Sequence, residues 1–283
     1  MKINQVIVVD DGSTDRTYEI AKKYPIKVIR KENGGESSAL NAGIKNAKGD
    51  LIAIVESDVI IPKNWARKLV KEFKDPEVWG VGGILETANK DSLVARLSGY
   101  ELEWRYTKQK GKYVNHITSA NLIYRKKVFE KLGLFDEGLI NSCVDADINN
   151  RITAYGKKLV LRKDIAVKHF WKDNILSCLK RYWAYSYFRP RLKESNLYKT
   201  DRLLMFEVFL TAVFIFSLVL IPLTVLIPMF LFFVLVIIQI PTTLKISIQK
   251  KDITFLLFPL LAILRSFVSL MGYSKGKIDL WLG

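Results

Sequence analysis

Cysteine is almost absent from this chain: Cys143 and Cys178 are the two in 283 residues. That excludes a disulfide scaffold, and with a single partner 35 residues away neither thiol has a metal-site spacing. Cys143 reads as a small packing residue. No internal repeat and no low-complexity segment is present. The length excludes a one-domain mini-protein, and 49% apolar with 25% charged residues excludes a disordered tail.

Charge is missing from one long stretch. Across Leu203 to Ile240 only Glu207 is charged, so the apolar residues are segregated into a membrane part that follows a basic soluble part. A helix needs about 20 apolar residues to span the hydrocarbon. The stretch therefore reads as a helical hairpin, roughly 203 to 221 and 225 to 244, with Pro222 and Pro228 bracketing an uncharged turn. A third segment, Ile253 to Met271, holds Pro259 and Arg265. A charge at mid-bilayer costs about 2.5 to 3.5 kcal/mol on insertion scales, so this segment spans, re-enters or lies along the interface.

Arg189, Arg191, Lys193, Lys199 and Arg202 precede the hairpin, and Lys245, Lys250 and Lys251 follow it. Positively charged short loops stay cytoplasmic. The reading is a multi-pass protein of the cell membrane with its soluble part in the cytoplasm and no signal peptide at the N-terminus. Lys275 and Lys277 fit a cytoplasmic C-terminus, which favours a re-entrant or surface-lying third segment. The net charge of +16 has no nucleic-acid motif beside it. Its basic residues thicken toward the spans, where each is worth about 1 kcal/mol near an anionic leaflet. A membrane is therefore the expected partner, and nucleic acid is not.

In the soluble part, the β-branched run Gln5 to Val9 ends abruptly in Asp10-Asp11-Gly12-Ser13-Thr14-Asp15, a buried strand running into a loop. Thr14 or Asp15 caps a helix over Arg16 to Lys23, Pro25 stops it, and Ile26 to Ile29 is the next strand. After the Asn33-Gly34-Gly35 turn, Ser37 or Ser38 starts a helix through Ala47. Leu51 to Val55 is a strand ending in Glu56-Ser57-Asp58, Trp65 to Phe73 a helix, and Val78 to Val81 a strand closed by Gly82-Gly83. Further elements are an amphipathic stretch over Ser92 to Arg105, a strand at Asn121 to Tyr124, and helices at Lys126 to Leu132 and Asp145 to Tyr155. Strand-like Lys158 to Leu161 and Ala166 to His169 follow, then an amphipathic segment at headgroup level over 175 to 192. Strands alternating with helices of about ten residues predict an α/β domain with a mostly parallel sheet.

Ligands of such sheets sit at the carboxyl ends of the strands, where both acidic clusters fall. Several acids converging on one site repel one another unless a cation sits among them. Carboxylate oxygens suit Mg²⁺ or Mn²⁺, and Mg²⁺ is usually shared between carboxylates and substrate phosphates. A diphosphate-linked substrate would complete such a site. The plainer reading is that Asp10, Asp11 and Asp15 only cap the next helix; the second cluster, one β-α-β unit on, weighs against it.

These motifs, in order, resemble those of the family 2 inverting glycosyltransferases. The resemblance runs through Val8 to Asp15, Asn33, Ala39-Leu40-Asn41-Ala42-Gly43, and Ala47-Lys48-Gly49-Asp50 leading to Glu56-Ser57-Asp58. It continues through Ser119-Ala120-Asn121 with Arg125, Gly133 to Glu137, Asp145-Ala146-Asp147-Ile148 with Arg151, and Val167-Lys168-His169. It covers roughly residues 4 to 170. It implies a GT-A fold, a nucleotide-diphospho-sugar donor, a divalent metal, Mg²⁺ or Mn²⁺, and a lipid-linked or glycan acceptor. Residue by residue, it puts Asp10 and Asp11 at the base and ribose, and Gly12, Ser13, Asn33, Asn41 and Ser57 around the nucleotide sugar. It puts Asp58 at the metal and diphosphate, with Glu56 and His169 as further metal ligands, and makes Asp145 the catalytic base. Asp147 points elsewhere, toward a helix terminus or Arg151. The implied organisation is a catalytic domain over 1–174, an interfacial segment over 175–202 and a membrane region over 203–283.

Three departures accompany the resemblance. Glu56 stands where the family's metal motif has its first Asp. The acceptor-site Gln-x-x-Arg-Trp of processive polymer synthases is absent, only echoed by Lys180-Arg181-Tyr182-Trp183, so the resemblance does not extend to long-chain polymerisation. The family's first strand would lie before residue 4, leaving an apolar edge exposed; this reading expects further coding sequence upstream of Met1. The first and third departures motivate a competing reading, an impaired family member acting as a membrane scaffold in glycan assembly. A sugar nucleotidyltransferase of similar fold would open on a glycine-rich strand-loop, which is not found here.

Overall fold

The computed structural model describes residues 3–140, 142–192, 202–221 and 224–282. Pro222, Lys193 and Lys199, named above for the hairpin turn and the loop charges, lie outside the described residues. In chain order the elements begin β1 (Ile7–Asp11), α1 (Thr17–Ala21), β2 (Lys27–Lys31), α2 (Glu36–Asn46), β3 (Leu51–Val55) and β4 (Val59–Ile60). Next come α3 (Trp65–Val70), β5 (Val78–Thr87), α4 (Leu93–Thr107), β6 (Tyr113–Val114), β7 (Asn121–Arg125) and α5 (Lys127–Leu132). Then follow α6 (Val144–Ala154), β8 (Lys158–His169), α7 (Ile175–Phe188) and the apolar helices α8 (Arg202–Ser217), α9 (Leu226–Ile237), α10 (Ile240–Lys250) and α11 (Phe258–Leu282). Two compact units divide the chain: Met1–Ile84 with Lys110–Val167, and Leu85–Gln109 with Lys168–Gly283.

In the first unit β1 and β2 pair in parallel as a separate two-stranded sheet, and Ile7, Val8 and Val9 remain half-buried. The larger sheet has the order β3-β7-β5-β8-β4, with β6 beside β8. It is mixed rather than mostly parallel, since β7 runs antiparallel to both β3 and β5, and β6 to β8. The β-α alternation read from the sequence holds through β3, and β7 then inserts between two earlier strands in the opposite sense. The core under this sheet includes Leu69, Val81, Leu122, Tyr124, Ile148, Ile152 and Leu159. Two strands are longer than the sequence implied. Gly82-Gly83 does not close β5, which runs on to Thr87, and β8 runs unbroken where two short strands were expected. Helix α1 is shorter than expected, and Asp15 accepts the Thr17 N–H at its start.

The second unit collects α4, α7 and the apolar helices. One cluster joins Leu97 and Tyr100 of α4 with Cys178, Ile246, Phe255, Phe258, Leu261 and Ala262. The Phe255 and Phe258 rings stack 5.0 Å apart. Arg96 pairs with Asp252 at 2.8 Å, and Lys250 pairs with Glu103. The expected second span is interrupted at Ile238-Gln239, just before Pro241, whose ring nitrogen cannot donate to the helix. Pro228 falls instead in the first turn of α9, where proline is tolerated. The third segment is a 3-10 turn over Ile253–Leu257 followed by the 25-residue α11. Its Arg265 is not a bare charge: it pairs with Glu207 at 2.6 Å and Glu101 at 3.6 Å, all three side chains being buried.

By length and composition, Leu226–Lys250 and Ile253–Leu282 are the two described helices long and apolar enough to cross a membrane. Only 22% and 44% of their most apolar stretches are buried, so most of that surface is uncovered by protein. Phe230, Phe233, Leu260 and Trp281 are among the exposed apolar side chains.

Helices α7 and α11 meet along a glycine seam. A Cβ on Gly272 would lie 2.6 Å from the Trp183 carbonyl oxygen, and one on Gly276 would collide with the Tyr187 carbonyl oxygen. The two glycines are four residues apart on one face, a spacing that lets helix backbones approach closely. Helix propensity alone makes Gly276→Ala stabilising by about 1 kcal/mol. The seam reverses that sign, because overpacking against backbone costs about 1–3 kcal/mol. Gly276→Ala should therefore lower the melting temperature of the detergent-solubilised protein; a rise would show that the seam is not tightly closed.

Candidate functional site

The site is built at strand ends and helix starts of the first unit. Gly12 turns the chain after β1 at φ +77°, where a side chain would be strained and its Cβ would lie 2.8 Å from the Asn33 nitrogen. Asp10 is buried, accepts the Ser13 N–H and pairs with Arg30 at 3.3 Å. Asp11 accepts N–H bonds from Gly34 and Gly35 and an ammonium bond from Lys31 at 2.6 Å. Burial works against the Asp11 charge, but Lys31 and the two glycine N–H groups outweigh it and hold the carboxyl below its ordinary range. Asn33 donates to the Asp11 carbonyl oxygen. Asp10 and Asp11 thus do not cap α1; they tie the β1 loop to the loop before α2.

Glu36 is the first residue of α2, directly after that loop. The antiparallel register pairs Val55 of β3 with Asn121 of β7, so Glu56 emerges beside Ser119. The Ser119 hydroxyl bonds Glu56 at 2.6 Å and reaches Glu36 at 3.3 Å, while the Ser119 N–H donates to Asp145 at 3.2 Å. Asp145 lies in the first turn of α6, where a helix favours negative charge, and its other oxygen accepts the Ala146 N–H at 2.8 Å. Cys143 caps that helix with a left-handed backbone, φ 65°, an uncommon conformation for a non-glycine residue. Glu56 and Asp58 carry carboxylate oxygens within 4.8 Å of each other, a hard-oxygen donor pair suited to a divalent cation. Ser57, between them, is exposed.

The structure thus brings Glu56, Asp58 and Asp145 into one constellation, and links Asp10, Asp11, Gly12, Ser13 and Asn33 into a second that joins it through Gly35-Glu36. Asn41 stands apart. Its amide is taken up by Phe135 and Glu137, fastening the loop after α5. Asp147 pairs with Arg151 at 2.6 Å, as the sequence implied. His169 belongs to the second unit by its contacts; it ends β8, is buried, and lies against the Trp171 ring with centroids 4.0 Å apart. Trp171 is in turn covered by the Arg181 guanidinium. Sequence reasoning gave no role to Glu36 or His116, and named Ser119 only within the Ser119-Ala120-Asn121 motif. The position of Glu36 just after Asn33-Gly34-Gly35 was a usable signal, whereas His116 and Ser119 needed the β7 register.

Burial, then the carboxylates of Glu56 and Asp145, push Glu36 up to about 8 from an ordinary 4.5. Below pH 4.5 the folded and unfolded chains both hold this proton. Between 4.5 and about 8 only the folded chain holds it, so its contribution to stability declines as pH rises. One pKa unit is about 1.36 kcal/mol, which puts the loss near 3 kcal/mol at pH 7. In EDTA, Glu36→Gln should flatten the pH dependence of the melting temperature over this window and raise it at pH 8. An unchanged slope would mean that Glu36 is ionised in the fold.

Residues 2–133 match the family model Glycosyl transferase family 2, so this segment is a family 2 glycosyltransferase domain. Its similar curated proteins include the poly-beta-1,6-N-acetyl-D-glucosamine synthase of Staphylococcus aureus (strain COL), 27% identical over 147 residues, and that of Staphylococcus epidermidis, 25% identical. Each alignment covers 48% of this chain and 36% of the relative, so the chain spans about a third of their length. Among solved structures, the mannosyltransferase PcManGT from Pyrobaculum calidifontis, in complex with GDP-Man and Mn²⁺, superposes with a TM-score of 0.55. The match covers 94% of this chain and 77% of that one at 15% identity, a likeness of fold. The fold is GT-A-like, with apolar helices at its C-terminal end.

Proposed function

We propose that this chain is a membrane-anchored inverting glycosyltransferase that moves a sugar from a nucleotide-diphospho-sugar to a lipid-linked or polysaccharide acceptor. The observation that carries the reading is Asp145: a carboxylate held at both oxygens by backbone N–H groups, beside Glu56, in a chain with a family 2 domain. Asp145 takes the proton of the acceptor hydroxyl, the oxygen bonds to the anomeric carbon, and the bond to the diphosphate oxygen on the opposite face breaks. The nucleoside diphosphate leaves and the configuration inverts.

Glu56 and Asp58 are the residues we assign to a divalent ion, Mg²⁺ or Mn²⁺, and the family resemblance assigns His169 as third donor. When bound, such an ion supplies positive charge to the leaving diphosphate. Asp10, Asp11, Gly12, Ser13, Asn33 and Ser57 are assigned to the nucleotide sugar, with Asn41 fixing the loop behind them. The catalytic part is assigned to 1–174, facing the cytoplasm, the interfacial segment to 175–202 and the multi-pass membrane part to 203–283. The uncovered apolar faces of α9 and α11 support that anchoring.

The test is the full chain in detergent, given radiolabelled UDP-N-acetylglucosamine, GDP-mannose and other nucleotide sugars, with Mn²⁺, Mg²⁺ or EDTA. Release of nucleoside diphosphate that needs the metal and one donor is expected. Absence of turnover with every donor would favour the non-catalytic scaffold.

A further inference from the structure

One turn of α6 separates Asp145 from Asn149, so the two lie on the same helix face. His116 bridges that turn. Its Nδ1 lies 3.1 Å from the Asn149 amide nitrogen, and its Nε2 lies 3.7 Å from Asp145 Oδ2. The orientation of the Asn149 amide is fixed from two other sides. Its nitrogen donates to the Ile117 carbonyl oxygen at 2.6 Å, an acceptor only, and its oxygen accepts the Tyr124 hydroxyl at 2.7 Å. Asn149 and Tyr124 are both fully buried, so water does not offer either of them an alternative partner.

An amide nitrogen facing Nδ1 leaves that ring atom to accept, which puts the proton of a neutral imidazole on Nε2. A second ring proton would point N–H at N–H. We propose that His116 is a positioning residue for Asp145, presenting an Nε2–H to the carboxylate without neutralising it. The Asn149 amide nitrogen thus selects which ring nitrogen faces Asp145 as a donor. The Asp145 oxygens are held by the Ser119 and Ala146 N–H groups, with the His116 Nε2 facing Oδ2 from 3.7 Å. This inference rests on the proposal that Asp145 is the base.

Two measurements on the full chain test it. The protein has two histidines, so ¹⁵N-histidine labelling gives two rings, and the signals lost in His116→Gln are those of His116. At pH 7.5 the wild-type ring should carry its proton on Nε2, and Asp145→Asn should move that resonance. In the transfer assay, His116→Phe should lower kcat roughly tenfold or more, part of the about 10²–10⁴-fold that a general base supplies, with the donor KM unchanged. His116→Gln, whose amide N–H reaches the place of Nε2, should recover most of the rate. A proton on Nδ1, an Nε2 resonance indifferent to Asp145→Asn, or equal losses in the Phe and Gln variants would each overturn the proposal. A wild type that turns over no donor would instead overturn the glycosyl-transfer reading, and the ring resonances would still decide the His116–Asp145 contact.

Discussion

Asp145→Asn is expected to lower kcat for sugar transfer by about 10²–10⁴-fold while the KM for the donor stays within a few fold, because a positioned general base contributes that much and does not bind the donor. The substitution is nearly isosteric, but it is not silent in the fold. Both Asp145 oxygens accept backbone N–H bonds, so an amide nitrogen must face either Ser119 or Ala146 as donor against donor. A modest fall in melting temperature should accompany the loss of rate, and rates should be compared well below it. Retention of more than a tenth of the wild-type kcat would remove Asp145 from the role of base.

The second large effect concerns folding rather than catalysis. Arg265→Met should destabilise the detergent-solubilised protein by about 3–5 kcal/mol, the cost of leaving buried carboxylates without their partner. Glu207 then loses a 2.6 Å ion pair and Glu101 a 3.6 Å one, with Glu101 retaining Arg105 at 2.9 Å. Replacing Arg265 and Glu207 together by apolar residues of similar volume should cost clearly less than Arg265→Met alone, since no charge is stranded at Glu207. Thermal melts of the three proteins give the comparison. A double variant that is worse than the single one would show that the pair is itself a net source of stability.

Local pattern carried much of the fold. The β-branched run before Asp10 and the apolar run before Glu56 each fix a strand, β3 where it was expected and β1 two residues later, through Asp11. Pairing between distant strands was not legible, because Val55 meets Asn121 only through a register set by the whole sheet. That register is what puts Ser119 between Glu36 and Glu56. The same reasoning explains Arg265, whose sequence neighbours carry no charge and whose counter-charges stand 58 and 164 residues away, on α8 and α4. The acidic strand ends were visible from composition alone. Glu36 was passed over because it sits in a helix start, where an acid needs no further reason.

The Asp11 loop has a consequence for the speed of recognition. Its carboxylate already grips Gly34 and Gly35, and Asn33 grips the backbone of Asp11 in return. A nucleotide sugar bound there, as proposed, would meet a segment whose backbone has lost its freedom before the encounter, so association would not wait for ordering, and less of the contact energy would be spent on it.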